Sequence, residues 1–357
     1  MSKLGLQVLS WVPGALAYVL QARPRQLKVL DPNPTALARI KAEFPDCFIV
    51  YRHYVDLGPQ QRLLADPIRG AREMTSTVLL NLGGARQFIA ACEGPNETGL
   101  WNDADRYSLF TAEYARTLHR EGMASVAYNF STGTPSGYFT GDGNLEPEAF
   151  REGLRAYWQH YWDGLRESTY LGLHEYSWTR MQNSQSWLCL RYRRVWDILP
   201  EDCRKPILIT ECGLDGGVAG QPREAAGWRA LCSEDVYLSQ LAWYTGELEK
   251  DDYVLGAHIF HAGSADSGWD SFSVLGCDRI AEYMRNQRRM PIMPDYTFEG
   301  DFSRFATDNP GLKLRPTSEA VYLSGGRAVQ LANKGALVYV PGDRTMLHKP
   351  YKPRKKA

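Results

Sequence analysis

The sequence predicts a (β/α)₈ barrel, in which eight parallel strands close into a cylinder and helices alternate with them. Three observations support this fold class. Eight short apolar runs alternate with amphipathic stretches, polar residues follow many of the runs, and no glycine-rich phosphate loop follows the first run. The runs are Gly5–Trp11, Leu27–Asp31, Phe48–His53, Gln87–Glu93, Ala124–Phe130, Tyr170–His174, Ile207–Glu211 and Val254–Phe260.

The stretches between the runs have the patterns of helices. Pro34 is typical of a first helical position, and Leu37, Ile40 and Phe44 then share one face. Ser233 is followed by two acidic residues, which favour the start of a helix because its dipole attracts negative charge there. The other predicted helices are Ser108–Glu121, Glu146–Glu167 and Gln182–Leu199, and the helix that starts at Ser233 extends to Lys250.

An open, doubly wound sheet is the alternative arrangement of alternating strands and helices. Such sheets carry a glycine-rich loop after the first strand, whereas here the sequence WVPG (11–14) follows it. Polar residues at the strand ends favour the barrel, because its working face lies at the C-terminal ends of the strands.

Beyond residue 287 the alternation stops, and we expect the barrel (1–287) to be followed by a C-terminal extension (288–357). The segments 288–294 and 308–316 are rich in proline and charge. Arg327–Val340 predicts two short strands around Asn333-Lys334-Gly335, which form a hairpin. The final segment, Lys349–Ala357, is a basic tail.

The composition limits the classes of function. The 41 basic and 41 acidic residues cancel, so no general attraction to nucleic acid or to an acidic membrane is expected. No segment approaches the roughly 18 uninterrupted apolar residues of a membrane span. Residues 1–26 predict a first strand and helix rather than a signal peptide, which favours a cytoplasmic or phage-associated protein.

The cysteines and aromatic residues add further limits. The 7 cysteines are scattered and contain no CxxC pair, which indicates free thiols rather than disulfides or a zinc site. No spaced set of histidine, aspartate and cysteine predicts a metal, and no cofactor is expected. The 10 tryptophans and 20 tyrosines suit a packed core and also the apolar faces of sugars.

The seventh run ends in a carboxylate. Within ILITECG (207–213), Glu211 ends a strand and Gly213 then breaks the pattern. Side chains alternate along a strand, so we expect Glu211 on the face of Ile207 and Ile209, emerging at the barrel mouth if that face is internal. An acid at this point is costly to bury unless it is used or paired, and a structural ion pair is the alternative.

A second glutamate follows the fourth run. The strand ends at Glu93, Gly94 and Pro95 turn the chain, and Asn96 and Glu97 follow. From this turn Glu97 can extend over the mouth. Two glutamates facing each other can act as acid/base and nucleophile in retaining glycoside hydrolysis if their carboxyl groups lie about 5–5.5 Å apart. Glu93 is the alternative acid.

With this pair, the stretch from about Gly5 to Gln287 resembles the glycoside hydrolases of clan A, which are retaining enzymes on a (β/α)₈ barrel. In that clan the acid/base is a glutamate preceded by asparagine after strand four, and the nucleophile is a glutamate that ends strand seven. The resemblance implies that Glu97, preceded by Asn96, is the acid/base and that Glu211 is the nucleophile. Thr98 departs from the proline that often follows in the clan.

The ends of other runs supply candidate substrate contacts. In the clan a histidine or tyrosine near the end of strand six bonds the nucleophile or the substrate, and His174 and Tyr176 match that place. Arg52 is expected to pair with Glu211 and lower its pKa. The candidate substrate-binding residues are Asn96, Arg52, Asn129, His174, Tyr176, Trp101, His258 and Trp269, and His261 is an alternative to His258. For the arginine, histidines and tryptophans, packing or a structural ion pair is the alternative.

The predicted function is cleavage of O-glycosidic bonds in an oligo- or polysaccharide substrate by double displacement. Glu211 attacks the anomeric carbon while Glu97 protonates the leaving oxygen and later activates water. A non-catalytic carbohydrate-binding or structural barrel, for instance in a phage particle, is the first alternative, and a barrel hydrolase with a non-sugar substrate is the second. The loops Thr98–Tyr107 and Thr132–Asn144 are expected to select the sugar.

Overall fold

The computed structural model describes residues 3–135, 147–182 and 187–286, together with the shorter stretches 305–306, 309, 321–322, 328–332, 335–340 and 345–350. Its internal contacts divide the chain into two compact units, Met1–Met290 and Pro291–Ala357. No helix in these described ranges combines the length and apolar character needed to cross a bilayer.

Eight described strands of the first unit form a closed parallel barrel, which confirms the predicted fold class. Each strand pairs with the next one along the chain, and the last pairs with the first, so that the sheet has no open edge. The strands are β1 (Leu4–Val8), β2 (Gln26–Val29), β3 (Phe48–Arg52), β4 (Ala91–Glu93), β5 (Ala124–Phe130), β6 (Tyr170–Ser177), β7 (Ile207–Leu214) and β8 (Val254–Ile259).

Helices alternate with these strands along the chain, and two predicted helix starts are confirmed. The Asn33 side chain accepts a hydrogen bond from the backbone of Ala36 at 3.0 Å, and Pro34 follows it as the first helical residue. Ser233 caps a later helix by accepting from Val236 at 3.4 Å. The helices are α1 (Ala15–Ala22), α2 (Pro34–Glu43), α3 (Leu57–Ala65), α4 (Pro67–Leu82), α5 (Ala104–Arg120), α6 (Pro147–Trp158), α7 (Trp162–Glu167), α8 (Tyr192–Ile198), α9 (Trp228–Leu231), α10 (Glu234–Leu248) and α11 (Asp278–Asn286).

Several elements differ from their predicted bounds. The helix predicted over Glu146–Glu167 is interrupted by a 3₁₀ turn between α6 and α7. The helix predicted over Gln182–Leu199 is confined to α8, with residues 183–186 outside the described part. The predicted strand Gln87–Glu93 is shortened to β4, because the 3₁₀ helix Gly83–Phe88 takes its first residues. Helices α3 and α4 were not predicted, and the Asp66 side chain caps α4.

A small apolar cluster fills the barrel interior below the C-terminal ends of the strands. Val50, Ala91, Val126 and Leu208 contact one another. Because β7 is not a neighbour of β3, β4 or β5 in the sheet, this contact crosses the barrel interior. The large remaining core packs strand residues against the helices. The polar site therefore lies above an apolar floor.

The second unit contains a four-stranded antiparallel sheet in the order β12-β11-β10-β9. Strands β10 and β11 occupy the stretch in which the sequence predicts a hairpin, and Ala332 pairs with Gly335. Residues 333–334 and the tail from 351 lie outside the described residues. The strands are β9 (Val321–Tyr322), β10 (Ala328–Ala332), β11 (Gly335–Val340) and β12 (Thr345–Pro350).

Candidate active site

Three titratable side chains meet at the C-terminal ends of the barrel strands. Nδ1 of His174, on β6, lies 2.6 Å from Oε1 of Glu97 and 3.5 Å from Oε2 of Glu211. Ligand atoms of all three residues lie within 4.8 Å of one another. Glu97 follows β4 and Glu211 belongs to β7, so closure of the barrel brings together two glutamates that are far apart in the sequence.

Glu211 faces the barrel interior because β7 contains a bulge. The prediction that it shares a face with Ile207 and Ile209 is wrong, since those two residues pack in the core that includes the helices. Leu208 belongs instead to the internal cluster. The ladders of β7 with both neighbouring strands shift register after Ile209. The shift inserts one residue, so that Thr210 and Glu211 both point inward.

Besides His174, four side chains surround the carboxylate of Glu211. Nζ of Lys28 donates to Oε1 at 3.1 Å, and Nε2 of Gln7 donates to the same oxygen at 3.2 Å. The hydroxyl of Tyr176 donates to Oε2 at 3.0 Å. Nη1 of Arg52 lies 3.7 Å from Oε1. Each oxygen of this nearly buried carboxylate therefore has at least one hydrogen-bond donor.

The charges around Glu211 favour its ionised form. Burial alone would raise the pKa of its carboxyl group. Interactions with His174, Lys28 and Arg52 outweigh burial and hold the pKa of Glu211 below its ordinary value. The carboxylate is therefore charged throughout the neutral range.

Lys28 is not among the sequence-predicted site residues, yet it is fully buried between two acids. Its Nζ lies 3.0 Å from Oε2 of Glu93 and 3.1 Å from Oε1 of Glu211. Glu93, the alternative acid, is therefore itself buried in an ion pair. The alternation of side chains along β2 could have predicted this position. Leu27 and Val29 pack in the core that includes the helices, so the lysine between them faces the barrel interior.

The turn after β4 presents Glu97 at the mouth. Its backbone has a φ of 45°, in the left-handed region that residues other than glycine rarely adopt. Its N–H donates to the carbonyl of Asn129 at 3.3 Å, and Arg52 donates to the side-chain oxygen of Asn96. The side chain of Glu97 is 37% exposed, compared with 9% for that of Glu211. Glu97 is thus the more accessible member of the pair.

Asn129 and His258 are both fully buried. The Thr210 hydroxyl donates to Oδ1 of Asn129 at 3.3 Å, while Nδ2 has no hydrogen-bond partner in the described part of the chain. Nδ1 of His258 donates to the carbonyl of Ile209 at 3.2 Å. Burial, assisted by the charge of Lys28, lowers the pKa of His258 to about 3, so its ring is neutral.

Trp269 is connected to the site by contacts between aromatic rings. Its ring centroid lies 5.2 Å from that of Phe260, which lies 6.4 Å from that of Tyr176. The guanidinium of Arg223 lies 4.8 Å from the Trp269 ring centroid. Nε2 of His261 donates to the Trp269 carbonyl at 3.1 Å, because Nδ1 of His261 accepts from a backbone N–H. Trp269 thus supports Tyr176, which donates to Glu211.

Two predicted features lie partly outside the described residues. Trp101 begins the 3₁₀ helix Trp101–Asp103, and its side chain is outside the described part. The loop Thr132–Asn144 is described only as far as residue 135. Within it, the Thr132 hydroxyl accepts from the backbone of Tyr176 at 2.8 Å, so the start of this loop is fixed to β6.

The cluster of Glu97, His174 and Glu211 has the donor types of a metal site. Lys28 and Arg52 already place two positive charges next to Glu211. The protein's own cations therefore already neutralise part of the negative charge of this cluster.

A cavity of about 360 Å³ opens beside Glu97. It lies between the turn after β4 and the segment that joins β3 to α3. Its volume is within the usual range for small-molecule sites. The lining residues are Arg52, His53, Tyr54, Val55, Asp56, Gln60, Asn96 and Glu97.

No protein-family model matches the sequence. No curated protein matches it either. Among solved structures, a GH128 (subgroup II) endo-beta-1,3-glucanase from Sorangium cellulosum is 16% identical, with a TM-score of 0.46 over 79% of this chain and 97% of that one. A glucosidase from Croceicoccus marinus is 13% identical, with a TM-score of 0.48 over 92% and 72%. Bacteroides uniformis beta-glucuronidase 2 is 12% identical, with a TM-score of 0.44 over 95% of this chain but only 40% of that one.

Proposed function

We propose that this chain is a glycoside hydrolase that cleaves O-glycosidic bonds of an oligo- or polysaccharide by a retaining, double-displacement mechanism. The catalytic unit is the barrel of residues 1–287. Glu211 is the nucleophile and Glu97 is the acid/base. The observation that carries the proposal is the approach of Glu97 and Glu211, whose carboxylate oxygens come within 4.8 Å on either side of His174.

The short separation favours direct attack over an inverting reaction. Retaining enzymes place their carboxyl groups about 5–5.5 Å apart, whereas inverting enzymes need roughly 6.5–9.5 Å to admit a water molecule. One carboxylate oxygen of Glu97 lies within 4.8 Å of one of Glu211, which favours the shorter separation. A sugar bound above the pair would therefore be attacked by a carboxylate oxygen rather than by a water molecule in the first step.

In the first step, Oε2 of Glu211 attacks the anomeric carbon. Its other oxygen is held by Lys28 and Gln7, so the carboxylate is fixed in position. Tyr176 donates to the attacking oxygen and orients it. The C–O bond to the leaving group breaks as the bond to Glu211 forms, which gives a glycosyl-enzyme.

Glu97 protonates the leaving oxygen in the same step. His174 holds Oε1 of Glu97, which leaves Oε2 to carry the proton that is transferred. In the second step Glu97 takes a proton from water, and the resulting hydroxide releases the sugar from Glu211. Glu97 is a better acid than Glu93 because Glu93 is fully buried and paired with Lys28, where a leaving group cannot reach it.

The remaining candidates act on the substrate or on the carboxylates. Asn96 is fixed by Arg52 next to Glu97, in a position to bind a hydroxyl of the reacting sugar. Asn129 has a side-chain NH₂ without a partner in the described residues, but the residue is fully buried, so it lies beneath the substrate and does not contact it in this arrangement. Trp269 acts through Phe260 and Tyr176, and we keep Trp101 as a candidate sugar contact.

The proposal is tested by hydrolysis. Wild-type protein is incubated with β-1,3- and β-1,4-glucans, xylan, mannan and galactan, and new reducing ends are measured. Hydrolysis of one of these that is lost in Glu211→Gln, with an unchanged circular dichroism spectrum, supports the proposal. Binding of a glycan without any hydrolysis would support a non-catalytic barrel instead.

A further inference from the structure

We propose that the cavity beside Glu97 is a binding subsite for a neutral sugar ring of the substrate, with Tyr54 as its stacking platform. This inference rests on the proposed function, because the subsite holds the same glycan that the two glutamates cleave. Four features of the cavity carry it: an exposed aromatic ring, two buried polar atoms without partners, the local charge, and the position next to the reacting groups.

Tyr54 is an aromatic ring held at the surface of the cavity. Its side chain is 63% exposed, and it is the one aromatic residue among the exposed large apolar side chains in the described ranges. Its hydroxyl donates to Oδ1 of Asp56 at 3.0 Å, which restricts the ring. A fixed, exposed ring provides a flat apolar face on which the C–H groups of a pyranose can stack.

Gln60 supplies a hydrogen-bond acceptor from the wall of the cavity. The residue is only 5% exposed, and its Nε2 donates to the carbonyl of Val55 at 2.9 Å, which fixes the orientation of the amide. Its Oε1 is buried and has no hydrogen-bond partner among the residues that the structure describes. A buried acceptor without a partner is costly unless a ligand supplies a donor.

Arg52 supplies a matching donor. Its Nη1 is engaged by Asn96 and Glu211, but its Nε is buried and has no partner within the described ranges. A sugar hydroxyl both donates and accepts hydrogen bonds, so the hydroxyls of one ring can satisfy Oε1 of Gln60 and Nε of Arg52. An apolar ligand would leave both atoms without partners.

The charges in the cavity favour a neutral sugar over an acidic one. The positive charge of Arg52 is already shared with Glu211, and Asp56 adds a negative charge at the rim. Burial lowers the pKa of His53, so its ring is neutral near pH 7. A uronic acid carboxylate would therefore face Asp56 and Glu97 without a free cation in the described lining of the cavity.

The position of the cavity connects it with the cleavage point. Asn96 and Glu97 form one side of it, and the segment from Tyr54 to Gln60 forms the other. A sugar in the cavity therefore lies next to the sugar that reacts, as the neighbouring unit of the same chain. Binding energy from such a unit raises kcat/KM for longer substrates without changing the reacting groups.

The test measures oligosaccharide binding in a variant that does not turn the substrate over. Tyr54→Ala is combined with Glu97→Gln, because glutamine keeps the side-chain oxygen that faces His174. The control is Leu80→Ala in the same background, since Leu80 is 82% exposed and lies on α4. Isothermal titration calorimetry gives the Kd of each protein for laminarihexaose, cellohexaose, xylohexaose and mannohexaose.

We expect Tyr54→Ala to weaken binding of the preferred hexasaccharide by about tenfold or more, a loss of one strong contact, while Leu80→Ala changes nothing. Tyr54→Phe, which keeps the ring, should bind within about threefold of the parent because the stacking face is retained. An unchanged Kd in Tyr54→Ala, or no binding of any hexasaccharide by the parent, would overturn the subsite.

The subsite and the proposed function fail in different ways. If wild-type protein hydrolyses a glycan and Tyr54→Ala has the same Kd and kcat/KM, the subsite is wrong and the proposed function stands. If a hexasaccharide binds in a Tyr54-dependent manner but wild-type protein never cleaves it, the subsite stands and the proposed function is wrong.

Discussion

Nζ of Lys28 lies 3.1 Å from Oε1 of Glu211 in the interior of the barrel, and the same ammonium group lies 3.0 Å from Oε2 of Glu93. One buried cation thus joins two carboxylates that come from different strands. Glu93 balances the charge of Lys28, and Lys28 in turn favours the ionised form of Glu211. Lys28 therefore stabilises the charge of Glu211, the proposed nucleophile, at Oε1, while Oε2 faces His174 and Glu97.

Replacing Lys28 with methionine should change both the pH profile and the stability. Without the ammonium group the pKa of Glu211 rises, so the acidic limb of kcat/KM should move up by roughly one pH unit or more. Glu93 is left buried without a counter-charge, so the free energy of unfolding should fall by about 3–5 kcal/mol. Initial rates between pH 4 and 8 and urea unfolding measure the two effects.

The double variant Lys28→Met/Glu93→Gln separates the effect on the pH profile from the effect on stability. Removing both charges should restore much of the lost stability, because no buried carboxylate remains unpaired. In the double variant, kcat/KM should still fall at a higher pH than in the wild type, since Oε1 of Glu211 lacks the hydrogen bond from Lys28. If kcat/KM of the double variant falls at the same acidic pH as that of the wild type, Lys28 does not control the ionisation of Glu211.

The stability of the protein should also depend on pH through Glu211. Its pKa in the folded state lies below the ordinary value of 4.5, so its ionisation stabilises the fold above that pH. The contribution is lost as pH falls from about 4.5 toward the folded pKa. The difference in unfolding free energy between wild type and Glu211→Gln should therefore shrink by up to about 1.4 kcal/mol per pH unit in this range.

Urea unfolding of the two proteins at pH 5 and pH 3 measures this difference. Both proteins share every other titrating group, so their difference reports Glu211 together with groups whose pKa depends on its charge, such as Asp215. A difference that stays constant between the two pH values would contradict the lowered pKa of Glu211.

The sequence was sufficient for the barrel, because each of the eight apolar runs overlaps one strand of the barrel. The sequence was not sufficient to predict on which face of β7 the Glu211 side chain lies. Strict alternation places Glu211 with Ile207, and only the register shift in β7 turns it inward. A bulge depends on pairing with neighbouring strands, which a single strand pattern does not specify.

Lys28 and Gln7 were missed for a different reason. Lysine and glutamine between apolar residues suggest a solvated face, as in an antiparallel sheet with one exposed side. In a closed barrel whose outer face packs against helices, the same alternation places the polar residue inside. Both residues are fully buried, and both donate to Glu211.

Tyr176→Phe should reduce activity without loss of fold. The variant loses the hydroxyl that donates to Oε2 of Glu211 at 3.0 Å. A hydrogen bond to a charged group contributes about 1.5–3 kcal/mol, so kcat/KM should fall by roughly 10- to 100-fold. Tyr18→Phe is the matched control, because its hydroxyl donates at 3.1 Å to the carbonyl of Cys277. Equal effects of the two substitutions on kcat/KM would contradict a role for Tyr176 at the nucleophile.

Glu97→Ala should lose hydrolysis of natural glycosides but retain the first step on activated aryl glycosides, whose leaving groups need no proton. Added azide should then restore turnover by attacking the glycosyl-enzyme in place of activated water. The rate is measured with and without azide, and Glu93→Ala is treated in the same way. Rescue of Glu93→Ala rather than Glu97→Ala would identify Glu93 as the acid/base.

The most direct test of the central claim is to trap the glycosyl-enzyme. The protein is incubated with activated 2-deoxy-2-fluoro glycosides of glucose, galactose, mannose and xylose, and the digested protein is analysed by mass spectrometry. Because the fluorine slows the second step, the retaining mechanism predicts one stoichiometric glycosyl group on Glu211 and no label in Glu211→Gln. A label on another carboxylate, or hydrolysis with inversion and no label, would contradict the assignment of Glu211 as the nucleophile.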